Sequence, residues 1–324
     1  MRIAIVGAGA VGSVIAGYLL ARGEHEVSLL ARGPHLAAIQ QRGLVVVTND
    51  KRLESHPLAS DDPARLGPQD VVLITVKAHA LPALAPTLTP LLGPDTLVVS
   101  AQNGVPWWYF YGTDGPEAGT PFETVDPGGA VWRSLDPARA IGCVINIPAS
   151  ITEPGVAHHT GRLRLHLGAP RAGEHAAALD AIVGAIDRSG IDCRPTDRIR
   201  HEVWSKLLLN NASATASVLT GATMGQMRAE PALLGTLAHL MRECLAVAHA
   251  WGIDIPDDVD AELARGVTAP NHKTSMLQDY EAGRPLELDP IITAVIELGR
   301  RRQVPVPTIE SLWALTRIKL AARG

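Results

Sequence analysis

Short apolar runs alternate with amphipathic stretches over the first hundred residues. Segments 2–6, 26–30, 45–47 and 96–100 read as short, largely apolar strands, and 70–76 is a continuous apolar run, the pattern of a strand covered on both faces. Between them, 11–21 has helical spacing, and 81–92 reads as a helix interrupted by prolines. This β-α-β alternation predicts an α/β fold with a doubly wound, mainly parallel sheet. Residues 105–137 lose the pattern and are rich in Gly, Pro and aromatics. Strands are again expected at 141–147 and 162–167, and a helix at 174–189. From about Asp197 strand candidates stop, and helices are expected over 198–218, 230–251, 257–265, 270–282 and 289–302, with a last segment after Pro307. Two domains follow: residues 1–196, carrying an aromatic insertion near 105–137, and an all-α domain over 197–324.

Composition narrows the classes. The 324 residues hold 29 Lys and Arg against 33 Asp and Glu, so neither a nucleic-acid footprint nor a polybasic membrane patch is expected. Cys143, Cys193 and Cys244 have no CxxC spacing, which argues against a disulfide scaffold and fits the cytoplasm. The start MRIAIVGAGAVG is not a signal peptide, and no apolar stretch is long enough to span a membrane. No HExxH or matching cluster accompanies His158, His159 and His166, so no metal is expected; P-loop and GxSxG motifs are missing too. Aromatics are only 4% of the chain, yet seven of them fall between Trp107 and Trp132.

The first candidate site is Gly7-Ala8-Gly9-Ala10-Val11-Gly12, a GxGxxG directly after a predicted strand and before a predicted helix. The first glycine permits a tight turn, the second lets backbone approach a pyrophosphate, and the third allows close helix–strand packing. This context predicts a Rossmann-type dinucleotide site. The second strand ends VSLLARG, with Arg32 where an NAD binder places an acid, which favours NADP and NADPH. Lys77 and Gln102-Asn103-Gly104 follow two further strands, at the ends where open α/β sheets bind ligands.

The second is in HEVWSKLLLNN, where Lys206 and Asn210 stand one helical turn apart. A lysine in partly apolar surroundings loses basicity and can act as a general acid. Reduction of a ketone needs a proton donor at oxygen while hydride reaches carbon, and Asn210 could hold the same oxygen.

Taken in order, GAGAVG at 7–12, VKA at 76–78, QNG at 102–104, WSKLLLN at 204–210 and SMLQD–R–E at 275–287 resemble the ketopantoate reductase (2-dehydropantoate 2-reductase) family over nearly the whole chain. The resemblance implies a Rossmann domain followed by a helical domain of the 6-phosphogluconate-dehydrogenase type. It also implies NADPH-dependent reduction of 2-dehydropantoate to pantoate, a step in pantothenate synthesis. Lys206 matches the family's catalytic lysine, and Asn210 a substrate-binding asparagine. Asn103 matches a residue touching cofactor and substrate, and Arg32 and Lys77 match NADP-binding positions. Ser275 matches a serine on the substrate carboxylate, His272 stands where a substrate-binding asparagine is usual, and Glu287 matches a glutamate near the cofactor. Ala214 and Met224 replace two further asparagines of the family pattern, which opens the reading to a bulkier 2-oxo or β-hydroxy acid. A non-catalytic NADP(H)-binding sensor is the rival from another class. The expected partners are the small 2-oxo acid and, as a candidate assembly, a homodimer. The aromatic insertion is either a surface excursion packed by its own rings, a dimer contact, or a lid over the substrate.

Overall fold

The computed structural model describes residues 1–265 and 271–323, leaving aside the side chains of 264 and 265. The chain forms two compact units. The first comprises Met1–Gln102 and Pro106–Ile199; the second comprises Asn103–Val105 and the chain from Arg200 onward. This division differs from the expected one in two places. The first unit runs to Ile199, and three residues directly after a central strand belong to the second unit.

The first unit contains β1 (Arg2–Val6), α1 (Ala10–Arg22), β2 (Glu26–Leu30), α2 (Gly33–Arg42), β3 (Leu44–Val47), β4 (Arg52–Ser55), β5 (Leu58–Ser60) and β6 (Gln69–Ile74). It continues through α3 (Leu81–Leu84), β7 (Leu92–Ser100), α4 (Ala130–Leu135), β8 (Ala140–Asn146), β9 (Ala149–Glu153), β10 (Val156–His159), β11 (Arg164–Gly168), α5 (Ala176–Arg188) and β12 (Asp192–Pro195). Its main sheet has the order β12-β11-β8-β7-β6-β1-β2-β5. All its pairs are parallel except β8 with β11. The crossing from β6 through β1 to β2 is a doubly wound α/β arrangement. Ala4, Ile5 and Val6 are fully buried, as are Val72 and Ile74, which explains why these strands read as continuous apolar runs.

A second sheet, β4-β3-β10-β9, went unseen in the chain's pattern apart from β3. It packs on α1 so closely that a Cβ on Gly17 would lie 2.4 Å from Val46 Cγ2. The expected helix over 81–92 is mostly 3₁₀, with only the four residues of α3 in α conformation. Pro82, Pro86 and Pro90 each remove an N–H from that stretch.

The aromatic segment is a small core of the first unit. Trp107, Trp108, Tyr109, Phe110 and Phe122 are each no more than 3% exposed. The Phe110 and Phe122 rings lie 5.0 Å apart, and Trp107 Nε1 donates to Ser100 Oγ over 2.9 Å. Gly142 on β8 makes room for Trp108, whose ring would be 2.5 Å from a Cβ there. The Asp126 carboxylate accepts from the N–H groups of Val131 and Trp132, closing the segment onto α4. Five of the seven rings are therefore packed inside the first unit, rather than in a separate surface excursion.

The second unit is helical: α6 (Ile199–Thr220, counted from Arg200), α7 (Met224–Ala229), α8 (Pro231–Ala250), α9 (Val259–Arg265), α10 (Ser275–Glu281), α11 (Ala294–Arg301) and α12 (Pro307–Ala321). Two expectations shift. Residues 271–274 are not helical, and α10 starts at Ser275 behind the Thr274 cap; residue 270 lies outside the described residues. The helix expected over 289–302 opens with a π-helical turn, Asp289–Thr293, before α11. Among the described residues, no helix is long and apolar enough to cross a membrane, and no three His, Cys, Asp or Glu gather as a metal site.

Candidate active site

The glycine loop sits where β1 turns into α1. Gly7 has φ +100°, a conformation open to glycine, and a Cβ there would lie 2.6 Å from Val76 Cγ1. Gly12 packs against the same strand ends; a Cβ on it would meet Gly7 O at 2.3 Å and Thr75 Oγ1 at 2.5 Å. Thr75 Oγ1 in turn donates to Gly7 O over 2.6 Å, clamping the turn. Gly9, by contrast, has open space where its Cβ would stand. It caps α1 without a side-chain bond, and the first turn holds no acid. A bare, uncapped, unopposed helix N-terminus beside an open glycine suits a pyrophosphate. These residues fit a dinucleotide.

A further support was not read from the sequence. His35 on α2 accepts from Gly155 N–H at Nδ1 over 3.0 Å, so its proton resides on Nε2, 3.2 Å from Ser13 Oγ. Ser13 Oγ passes the bond to Ala8 O over 3.0 Å. The β9–β10 turn is thereby linked through a neutral imidazole to the glycine loop. Burial holds the His35 pKa below its ordinary value.

Arg32 is the N-cap residue of α2 directly after β2, and it is exposed. Among the described residues its guanidinium makes no ion pair. Lys77 stands half-buried after β6, and Gln102 after β7 donates from Nε2 to Val76 O over 2.8 Å.

In the second unit, Lys206 and Asn210 lie on one face of α6, both half-buried. Trp204, Leu207 and Leu208 on other faces are buried, which anchors the helix. Lys206 Nζ donates to Asn103 Oδ1 over 2.7 Å, a charge-assisted bond. An ammonium has no acceptor capacity, so the Asn103 amide must present its oxygen to Lys206 and keep its NH2 for another acceptor. The Asn210 amide makes no side-chain hydrogen bond among the described residues.

Asn103 is held by its neighbours. Val105 N–H donates to Pro290 O over 2.8 Å, and Asn211 Nδ2 donates to Ile291 O over 2.9 Å. Gly104, at φ +83°, passes so near the π turn that a Cβ would be 2.4 Å from Pro290 O. Carbonyls that a regular helix would keep for itself are given to the 103–105 segment and to α6, and the helix opens into a π turn there. Glu287, just before that turn, is buried.

Ser275 and His272 take a different position. Both side chains are exposed, Ser275 as the first residue of α10. His272 contributes its backbone carbonyl to Met224 N–H, over 2.9 Å. Between them, Thr274 Oγ1 lies 2.7 Å from Ser217 Oγ. Ser217 is on the same α6 stripe as Lys206 and Asn210, about three turns further on. Asn103, Lys206 and Asn210 are brought together; Ser275 and His272 reach the stripe through Thr274. Ala214 and Met224 are buried.

Two family models cover most of the chain: "Ketopantoate reductase PanE/ApbA" matches residues 3–172, and "Ketopantoate reductase PanE/ApbA C terminal" matches 198–320. The chain belongs to the ketopantoate reductase family. A 2-dehydropantoate 2-reductase from Mesorhizobium japonicum is 39% identical over 100% of this chain and 99% of its own. One from Caulobacter vibrioides is 30% identical over 97% of each. The crystal structure of a candidate ketopantoate reductase from Ralstonia solanacearum MolK2 superposes with TM-score 0.92 at 36% identity, covering 100% of this chain and 98% of that one. Both halves of this ketopantoate reductase family chain, the glycine loop and the lysine–asparagine pair alike, fall inside the matched regions.

Proposed function

We propose that this chain reduces 2-dehydropantoate to pantoate with NADPH. The observation that carries the reading is the Lys206–Asn103 bond: a lysine ammonium fixed at one atom, on a face that also offers the free amide of Asn210. NADPH, when bound, supplies the hydride to the ketone carbon. Lys206 donates a hydrogen bond to the ketone oxygen, then the proton as negative charge develops there. Asn210 holds the same oxygen and fixes its orientation. The Asn103 NH2, free because its oxygen faces Lys206, reaches a second acceptor on substrate or cofactor.

On the first unit, the Gly7–Gly12 segment with Ala8, Ala10 and Val11 binds the pyrophosphate, and Arg32 takes the 2′-phosphate that separates NADPH from NADH. Lys77 adds positive charge at the neighbouring strand end. On the second unit, Glu287 is assigned to the cofactor by the family resemblance. Ser275 and His272 serve the substrate's outer end. The family membership supports the substrate, and the whole-length relatives carry the same name. The enzyme would work in the cytoplasm, as the scattered free cysteines suit a reducing compartment.

The test is NADPH oxidation with 2-dehydropantoate beside a panel of bulkier 2-oxo acids. Turnover highest with 2-dehydropantoate supports the reading. Turnover confined to a bulkier acid moves the substrate, and binding of NADPH without oxidation by any 2-oxo acid leaves only the sensor.

A further inference from the structure

α6 turns two polar side chains in two directions. Lys206 meets Asn103 Oδ1, and Asn211, five residues on, points about 140° away round the helix. Asn211 is 1% exposed. Its Nδ2 donates to Ile291 O over 2.9 Å, inside the π turn. Its Oδ1 is shielded from solvent and has no hydrogen-bond partner among the described residues. A buried amide with an unanswered acceptor carries a desolvation cost that an apolar side chain of similar size would avoid. The donor half of the side chain is therefore what this position uses.

That donor closes a ring. From Asn211 Nδ2 the path runs to Ile291 O, back one residue to Pro290 O, and across 2.8 Å to Val105 N–H. From Val105 it runs back two residues to Asn103, and from Asn103 Oδ1 across 2.7 Å to Lys206 Nζ. Little more than one turn of α6 returns it to Asn211. Three hydrogen bonds thus join three segments far apart in the chain, and all of them lie in the second unit. The ring directs its loosest member. An ammonium on a long flexible stem points wherever its acceptor stands. That acceptor, Asn103, sits in a bend outside any helix or strand, and the bend is tied by Val105 to the π turn. Asn211 ties the π turn back to the helix that carries Lys206.

We propose that Asn211 is a positioning residue for the reduction: by holding the π turn to α6 it fixes Asn103, and through Asn103 it fixes the Lys206 amine where the ketone oxygen takes its proton. The inference rests on the reading of the chain as a 2-oxo acid reductase and adds a residue that acts through the lysine. A proton donor contributes only when held at hydrogen-bond distance from the reacting oxygen, and small misplacements are costly. Loss of the Asn211 donor should therefore fall on the chemical step and spare the cofactor, whose glycine loop belongs to the first unit.

The experiment uses Asn211→Ala and Asn211→Leu, which both remove the donor, the leucine keeping the volume. Each should lower kcat with 2-dehydropantoate by roughly ten- to a hundred-fold, with KM for NADPH unchanged. In an Asn103→Ala background, where the ring is already open, the same change should cost at most about two-fold more in kcat. A second readout needs no turnover. The rate at which acetic anhydride labels Lys206, read by peptide mass against the exposed Lys51, should rise severalfold in both variants as the amine leaves Asn103. An unchanged kcat in Asn211→Leu overturns the proposal. So do losses that multiply in full in the double variant, since Asn211 would then act by a route other than Asn103. A fall in kcat together with a lowered thermal midpoint and unchanged labelling of Lys206 would make Asn211 a packing residue and overturn it too. If the intact protein oxidises NADPH with no 2-oxo acid, the reductase reading fails, and the labelling arm decides Asn211 by itself: faster labelling of Lys206 supports its hold on the amine, and equal labelling ends it.

Discussion

Lys206 and Asn103 are far apart in the chain yet joined by a 2.7 Å bond from Nζ to Oδ1. The partner of the lysine comes from a three-residue segment that leaves the first unit's sheet and packs with the second unit. That segment is tied to the Pro290 carbonyl, so the position of the amine depends on a backbone contact as well as on α6.

Removing the amine should remove the proton donor. Lys206→Ala is expected to lower kcat by about 10²–10⁴-fold, with the dissociation constant for NADPH unchanged by fluorescence titration. Retained turnover would refute the acid role.

The Asn103 amide should matter through its orientation. Asn103→Asp keeps an acceptor for Lys206 but loses the NH2. It is expected to keep the fold, as read by circular dichroism, while kcat/KM drops. Equal activity would show that only the acceptor counts.

Gly104 tests the backbone contact. A methyl group there would meet Pro290 O at 2.4 Å in a φ that L-residues avoid. Gly104→Ala should therefore displace Asn103 and cost about 1–3 kcal/mol of stability in urea unfolding. A variant as stable and active as the parent would mean that the segment is free to move.

How far the chain could be read depended on which force shaped each part. β1, α1 and β2 were legible because burial on both faces leaves an unbroken apolar run followed by glycines in a turn. α2 was hidden: it opens on Gly33-Pro34, which reads as a turn, although proline at a first helical turn is a start signal. β9 is exposed along most of its length and so has no apolar signature. Lys206 and Asn210 were visible as a spacing, but spacing alone could not separate them from a solvated face; the order of motifs did that. Asn103 was legible as a strand-end residue, whereas its place in the second unit depends on carbonyls of a π turn that no local pattern announces. Thr75, at the end of an apolar run, carries no local signal; what marks it is its tertiary bond to Gly7 O.

Cofactor choice should turn on Arg32. Arg32→Ala is expected to raise KM for NADPH by roughly ten-fold or more and to leave KM for NADH nearly unchanged, since only NADPH carries the 2′-phosphate. Equal effects on the two cofactors would remove Arg32 from that role.

The last prediction concerns acid. Burial lowers the pKa of His25, His35 and His159, all in the first unit. Above the ordinary histidine pKa of about 6.5 these groups are neutral folded and unfolded, and stability is at its full value. As pH falls below that value the unfolded chain takes up protons that the folded chain resists, so stability is lost toward the lowered folded pKa values. The Asp192 carboxylate, held near about 2 chiefly by its bond to Arg194, loses its contribution only at far lower pH. Thermal midpoints should therefore decline on passing from about pH 7 to pH 5.5, before any carboxylate effect. In His35→Phe the slope of that decline should be reduced, and NADPH should bind more weakly at every pH, because Ser13 and Ala8 lose their tie to the β9–β10 turn. An unchanged slope with unchanged NADPH affinity would show that the imidazole does not support the loop.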